Sequence, residues 1–167
     1  MPGEEVPGLG SDGKFSIRLI LEAEVYPTED EKKVIQAMKT IVPFSEELDD
    51  FEIQEGEIKV IRVTKDGYEP LSKLRNSFRS NRILDTARNL LISKRGDIRP
   101  LRFHKQAAIV GRVSLVDNEE FSPLGVIVLR IYYDGDPLIL ADWLTPRTER
   151  GKPVNEATLQ DLLYGRG

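Results

Sequence analysis

Alternation of apolar and polar residues near the start of the chain predicts the first β-strand. The stretch from Phe15 to Val25 reads FSIRLILEAEV. Successive side chains of a strand point to opposite faces, so this segment is expected to bury one face and expose the other. The positions that share the apolar face are Phe15, Ile17, Leu19 and Leu21.

Three later stretches repeat apolar residues at helical spacing. The first runs from Val34 to Val42, after a sequence that predicts Thr28 as its N-cap with Glu31 completing a capping box. The second places Leu71, Leu74 and Phe78 on one face. The third runs from Arg82 to Ser93 and is expected to stop before Gly96. The pattern therefore predicts three amphipathic helices.

The remaining apolar stretches predict strands and one more helix. Phe51–Gln54 and Glu57–Val63 predict a hairpin, and Ala107–Val116 predicts a strand that pairs with Leu124–Tyr133. Leu138–Leu144 is compatible with either a helix or a strand, Thr145–Pro153 is expected to be an irregular polar loop, and a last short helix is expected to end at Tyr164. This order predicts an α+β domain with a mostly antiparallel sheet and helices packed on one face.

Length and composition set the class of protein. A chain of 167 residues suits a single domain, expected over 14–167, with the acidic, Gly- and Pro-rich residues 1–13 as a disordered leader. Apolar runs are too short for a membrane helix, and the absence of cysteine excludes disulfides and thiolate metal sites. These features favour a cytoplasmic protein. A charged content of 31% with two Met is also typical of a thermophile.

Positive charge is concentrated in the segment Leu71–Arg112. This segment holds eleven Lys and Arg against two acids, whereas residues 1–70 hold 17 acids against 8 bases, and the whole chain has a net charge of −4. Such a concentration is typical of a surface that meets phosphate. The residues predicted to contact RNA are Lys73, Arg75, Arg79, Arg82, Arg88, Lys94, Arg95, Arg99, Arg102, His104 and Lys105. The structural alternative is that these cations pair with the acidic N-terminal third.

Catalytic and metal-binding motifs are missing from the sequence. There is no phosphate-binding Gly-rich loop, no HExxH and no GxSxG, and His104 is the only histidine. We therefore expect no metal, no cofactor and no enzymatic activity. A polar group of Arg112, Asp142 and Arg147 is a structural ion pair or, less favoured, the centre of an unrecognised enzyme.

Four blocks of sequence carry a resemblance to a known family. They are ILDTARNLL (Ile83–Leu91), HKQAAIVGRVSLVD (His104–Asp117), SPLG (Ser122–Gly125) and DWLTPRT (Asp142–Thr148). In this order they resemble an archaeal family of small uncharacterised proteins described as RNA-binding. The resemblance implies a fold similar to the large-subunit ribosomal protein that binds the smallest ribosomal RNA. It supplies no catalytic or ligand residues.

Together, charge and resemblance favour a non-catalytic RNA-binding protein that contacts structured RNA backbone through its basic helical segment. The alternative is a protein-interaction or assembly module, either a homodimer or a subunit of an RNA-processing complex.

Overall fold

A five-stranded antiparallel sheet forms the centre of the computed structural model, which describes residues 13–117 and 125–167. Its strands are β1 (Ile17–Val25), β2 (Asp50–Gln54), β3 (Lys59–Asp66), β4 (Leu101–His104) and β5 (Val126–Tyr133). Their spatial order is β2-β3-β1-β5-β4. In the central register, Leu21 lies opposite Val63 of β3 and Leu129 of β5. The predicted α+β class with a mostly antiparallel sheet is confirmed.

The described helices connect these strands and cover the sheet. They are α1 (Glu31–Ile41), α2 (Glu69–Ser80), α3 (Leu84–Leu91), α4 (Lys105–Ile109), α5 (Pro137–Leu144) and α6 (Leu159–Tyr164). A small hairpin of β6 (Arg147–Glu149) and β7 (Lys152–Val154) lies between α5 and α6. Thr145–Pro153, expected to be irregular, therefore contains two paired strands. Neither described range contains a helix long and apolar enough to cross a membrane.

The core lies between one sheet face and the helices. Odd-numbered residues of β1, such as Leu19 and Leu21, are buried, whereas Arg18 is exposed, as the alternation predicts. The helices contribute fully buried side chains that include Met38 and Phe78. This packing fixes α2 and α3 on the sheet by their apolar sides, so their basic sides face outward or toward the chain that follows α5.

The prediction of a strand over Ala107–Val116 is wrong. Residues Lys105–Ile109 form α4, which packs against α1, and Thr40 Oγ1 donates to the Ala108 carbonyl at 2.8 Å. The partner of β5 is instead β4, whose Leu101 and Phe103 are buried. A short apolar run with two alanines has no period long enough to separate helix from strand.

The start of α1 differs from the sequence prediction, and the stretch before Thr145 forms a further helix. Helix α1 is capped by Asp30, whose carboxylate accepts the Lys32 N–H at 2.9 Å, rather than by Thr28. Residues Leu138–Leu144, which the sequence left open, are helical. Asp136 caps α5, and Pro137, at the first helical position, is already set to a helical φ.

Candidate nucleic-acid interface

Arg75 and Arg79 on α2 converge on one carboxylate. The Arg75 guanidinium donates to Glu156 Oε2 at 2.5 Å and to the Trp143 carbonyl at 2.8 Å, and Arg79 donates to the same Glu156 oxygen. Burial lowers the pKa of Arg75, the charge of Arg79 lowers it further, and Glu156 acts in the opposite direction. These arginines therefore hold α2 against the chain that precedes α6.

Arg88 and Arg99 are also engaged by the protein itself. Arg88 donates to Asp142 Oδ1 at 2.9 Å and to the Thr145 carbonyl at 3.2 Å, and its side chain is only 17% exposed. Arg99 donates to the Asn89 carbonyl at the end of α3. The structural alternative placed the partners of the basic segment in the acidic N-terminal third. For Arg75, Arg79 and Arg88 the carboxylates come from the C-terminal part of the chain instead.

Lys105 is buried, contrary to its predicted place among the RNA contacts. It is 1% exposed, and its ammonium donates to the Glu24 carbonyl at 2.7 Å and to Glu29 Oε1 at 3.0 Å. The ammonium also lies 5.1 Å from the centroid of the Tyr26 ring. A buried Lys needs a paired carboxylate of this kind, so Lys105 is a structural residue and cannot contact RNA from this position.

Other predicted residues lie at the surface or beside it. Arg102 and His104 are half-buried on β4, where both have interaction partners. Lys94 and Arg95 are exposed in the turn after α3. Across the two described ranges, no group of three or more His, Asp or Glu side chains could hold a metal ion.

A polar groove runs between α2 and the segment that follows α4. Its volume is about 740 Å³, and its polar lining includes Lys73, Asn76, Ser77, Asn81, Arg112 and Ser114. The described residues that line it include no carboxylate. The Lys73 ammonium donates one hydrogen bond to the Lys39 carbonyl at 3.1 Å, so two of its three N–H donors remain for a ligand. This polar groove can accept an anionic ligand with many oxygen acceptors.

Arg112 belongs to this polar groove and not to the predicted polar group with Asp142 and Arg147. It is exposed in the loop after α4. Asp142 and Arg147 line a different cavity of about 540 Å³. There the Asp142 carboxylate accepts hydrogen bonds from Arg88 and, at Oδ2, from Arg166 at 2.8 Å. The predicted centre of an unrecognised enzyme is therefore split between two sites.

A second concave site, the arginine cleft, lies next to the polar groove at the end of α2. It has a volume of about 350 Å³ between the α2–α3 corner and the β6–β7 hairpin. Its charged residues are Arg79, Arg82, Arg150 and Lys152, with Asp85 as the acid among them. The Asp85 carboxylate accepts the Thr148 N–H at 3.2 Å and the Thr148 hydroxyl at 2.7 Å, which ties the hairpin to α3.

Two arginines of the arginine cleft have left-handed backbone conformations. Arg82 has a φ of 57° in the turn that ends α2, where Ile83 N–H donates to the Phe78 carbonyl at 3.0 Å. Arg150 has a φ of 54° in the two-residue turn between β6 and β7. Both positions favour glycine, and an L-residue there costs about 1–2 kcal/mol. The Arg82 turn also ends α2 after Ser80, so Arg75, Arg79 and Arg82 do not continue along one helix.

Sequence reasoning missed Arg150 and Lys152, and it gave Arg112 a different role. Arg150 and Lys152 lie in a region expected to be an irregular loop, far along the chain from Arg82. The pair Arg150-Gly151 between short polar runs is a weak hairpin pattern that could have placed them in one turn.

Comparison with known proteins identifies the family. A family model described as "RNA binding" matches residues 18–133. A UPF0201 protein of Sulfurisphaera tokodaii is 39% identical over 140 residues, covering 83% of this chain and 94% of the relative. One of Aeropyrum pernix is 37% identical over 153 residues, covering 87% and 95%.

Solved structures show the same relationship. The crystal structure of a UPF0201 protein from Methanococcus jannaschii aligns with a TM-score of 0.66 at 27% identity, covering 83% of this chain and 99% of that one. A second uncharacterised UPF0201 structure aligns with a TM-score of 0.59 at 26% identity, covering 82% and 99%. Fold, sequence and family model agree, and the chain belongs to the UPF0201 family of archaeal proteins, whose family model is described as RNA binding.

Proposed function

We propose that this protein binds structured RNA through backbone phosphates in the polar groove. The observation that carries the proposal is the lining of this groove, which combines the cations Lys73 and Arg112 with amide and hydroxyl side chains and no carboxylate among the described lining residues. Protein contacts to nucleic-acid backbone are made by these residue types, and double-stranded RNA is recognised largely through its phosphates and 2′-hydroxyls.

The proposed surface differs from the basic segment predicted from sequence. Of the residues predicted from sequence, Lys73 lines the polar groove, and Arg112 is added to it. Arg82, Lys94 and Arg95 are exposed but are not among its lining residues. The salt bridges of Arg75, Arg79 and Arg88 fix α2 and α3 to the C-terminal part of the chain and so hold the proposed surface in place. The description of the family as RNA binding supports the same class of ligand.

The test is RNA binding measured by fluorescence anisotropy at several salt concentrations. A labelled RNA hairpin is titrated with wild type and with the double variant Lys73→Gln, Arg112→Gln. Each phosphate contact contributes about 0.7–0.9 to the slope of log affinity against log salt, so the double variant should lose about 1.4–1.8 from that slope.

The matched control is Lys32→Gln, Lys33→Gln, which removes two exposed cations from the start of α1 with the same change in net charge. It should retain the wild-type slope. Equal slopes for all three proteins would contradict binding in the polar groove, and absence of binding by wild type would contradict the function itself.

Four further expectations from the sequence remain predictions. They are the absence of catalysis, a cytoplasmic location, a thermophilic source and a fold similar to that of the large-subunit ribosomal protein that binds the smallest ribosomal RNA. The alternative of a homodimer or an assembly subunit predicts a mass that rises with protein concentration, which sedimentation measures directly.

A further inference from the structure

We infer that the arginine cleft binds the terminal phosphate monoester of an RNA strand whose backbone lies in the polar groove. The inference rests on the proposed function, because the RNA must already be held beside α2. Asn81 lines the groove and the next residue, Arg82, lines the cleft, so the two sites meet at the end of that helix.

The charge of the arginine cleft suits a dianion. Among the described residues that line it, four are cations and one, Asp85, is a carboxylate, which gives a formal charge of +3. Arg79 is already paired with Glu156, which lies outside the lining, and its removal from the count leaves +2. A phosphate monoester carries about −1.5 to −2 at neutral pH because its second pKa is about 6, whereas an internal phosphodiester carries one negative charge. The cleft therefore complements a chain end better than a position within the chain.

Hydrogen-bond donors of the arginine cleft are available to a ligand. Arg82, Arg150 and Lys152 are exposed, and no described residue forms a salt bridge with any of them. The acid of the cleft is occupied, since both Asp85 oxygens accept hydrogen bonds from Thr148. Leu84 and Pro153 add an apolar part to the lining, which suits a ribose or a base next to the phosphate.

Backbone conformation gives a second, independent reason to regard this cleft as a site. Two of the three described non-glycine residues with a positive φ are Arg82 and Arg150, and both lie in this one cleft. Glycine would fit each turn without strain. Strained backbone is found preferentially where a ligand is bound, because there a side chain contributes more to function than its conformation costs.

The experiment compares three forms of one RNA hairpin with a single-stranded overhang: a 5′-phosphate form, a 3′-phosphate form and a form with both ends hydroxylated. Affinities are measured for the full chain, for Arg82→Gly and Arg150→Gly, and for Lys73→Gln, Arg112→Gln. The glycine variants suit the left-handed turns, so loss of binding through misfolding is not expected.

We expect wild type to bind one phosphorylated form about tenfold or more tightly than the hydroxylated form, as charge-assisted hydrogen bonds allow. Arg82→Gly and Arg150→Gly should lose that preference, whereas Lys73→Gln, Arg112→Gln should weaken all three forms and retain it. Which phosphorylated form is preferred identifies the end that is bound.

Other outcomes overturn the inference in distinguishable ways. Salt-dependent binding of all three forms with equal affinity would remove the terminal-phosphate site and leave the proposed function intact. A preference that survives in both glycine variants would place the phosphate outside the arginine cleft. Failure of wild type to bind any form would overturn the proposed function and this inference with it.

Discussion

Replacement of Arg82 by glycine should stabilise the protein although it removes a charged side chain. The left-handed φ of 57° at Arg82 costs an L-residue about 1–2 kcal/mol. Glycine avoids this cost but gives back about 0.5–1 kcal/mol, because it has more conformational freedom in the unfolded chain. The expected gain in the free energy of unfolding is therefore about 0–1.5 kcal/mol, with a midpoint of about 0.75 kcal/mol.

The matched control is Arg82→Ala, which removes the same charge and keeps the strained conformation. A protein of this size changes its Tm by about 2–4 °C per kcal/mol, so at the midpoint of the expected gain Arg82→Gly should melt about 1.5–3 °C above wild type in a circular-dichroism melt. Arg82→Ala should melt at or below the wild-type temperature. The difference between the two variants isolates the backbone from the charge.

An equal gain in both variants would refute this reasoning, since it would show that relief of repulsion among the cations of the arginine cleft is the cause. A loss of stability in Arg82→Gly would show that contacts of the Arg82 side chain stabilise the fold by more than the left-handed backbone destabilises it. Either result would also remove the backbone argument for a ligand site at this cleft.

Two further predictions concern the links between the C-terminal part of the chain and the rest of the fold. Glu156→Gln should lower the free energy of unfolding by about 1–3 kcal/mol, because it leaves Arg75 and Arg79 half-buried without their shared carboxylate. Urea unfolding measures this loss. An unchanged urea midpoint would show that solvent already satisfies both arginines. Burial, with a smaller effect of Asp136, raises the pKa of Tyr133 to about 12, and its hydroxyl donates to the Leu162 carbonyl at 2.5 Å. The unfolded tyrosine titrates near pH 10 (an approximate value), so the stabilising effect of the proton should be present below about pH 10 and lost as the pH rises toward 12. The free energy of unfolding, measured in urea between about pH 9 and 11.5, should therefore fall more steeply with pH for wild type than for Tyr133→Phe. Parallel curves for the two proteins would contradict the raised pKa of Tyr133.

Local periodicity was enough to predict much of the fold. Strand β1, the β2–β3 hairpin and the amphipathic helices α2 and α3 each bury one face against the same core, so the apolar spacing of each is set by its own residues. The strand predicted over Ala107–Val116 is wrong because a short apolar run is compatible with either structure. Whether such a run is helix or strand depends on tertiary partners, here α1 and β5, that local spacing does not contain.

The candidate site was less predictable because charge pairing is a long-range property. A run of cations in the sequence does not show which of them meet a carboxylate. Arg75 pairs with Glu156, which lies 81 positions later in the sequence, and Arg88 pairs with Asp142, which lies 54 positions later. In the same way, Arg150 and Lys152 join Arg82 only because Asp85 holds the β6–β7 hairpin against α3.

The distance between Arg75 and Glu156 along the chain also orders events during protein synthesis. At about 5–20 residues per second, the ribosome needs about 4–16 s after Arg75 to add the 81 residues that end with Glu156. Throughout that interval α2 carries its cations without the acid that neutralises them in the finished domain. We therefore expect the attachment of α2 to α5 and to the chain before α6 to be a late step in cotranslational folding, completed only after Glu156 has left the ribosome.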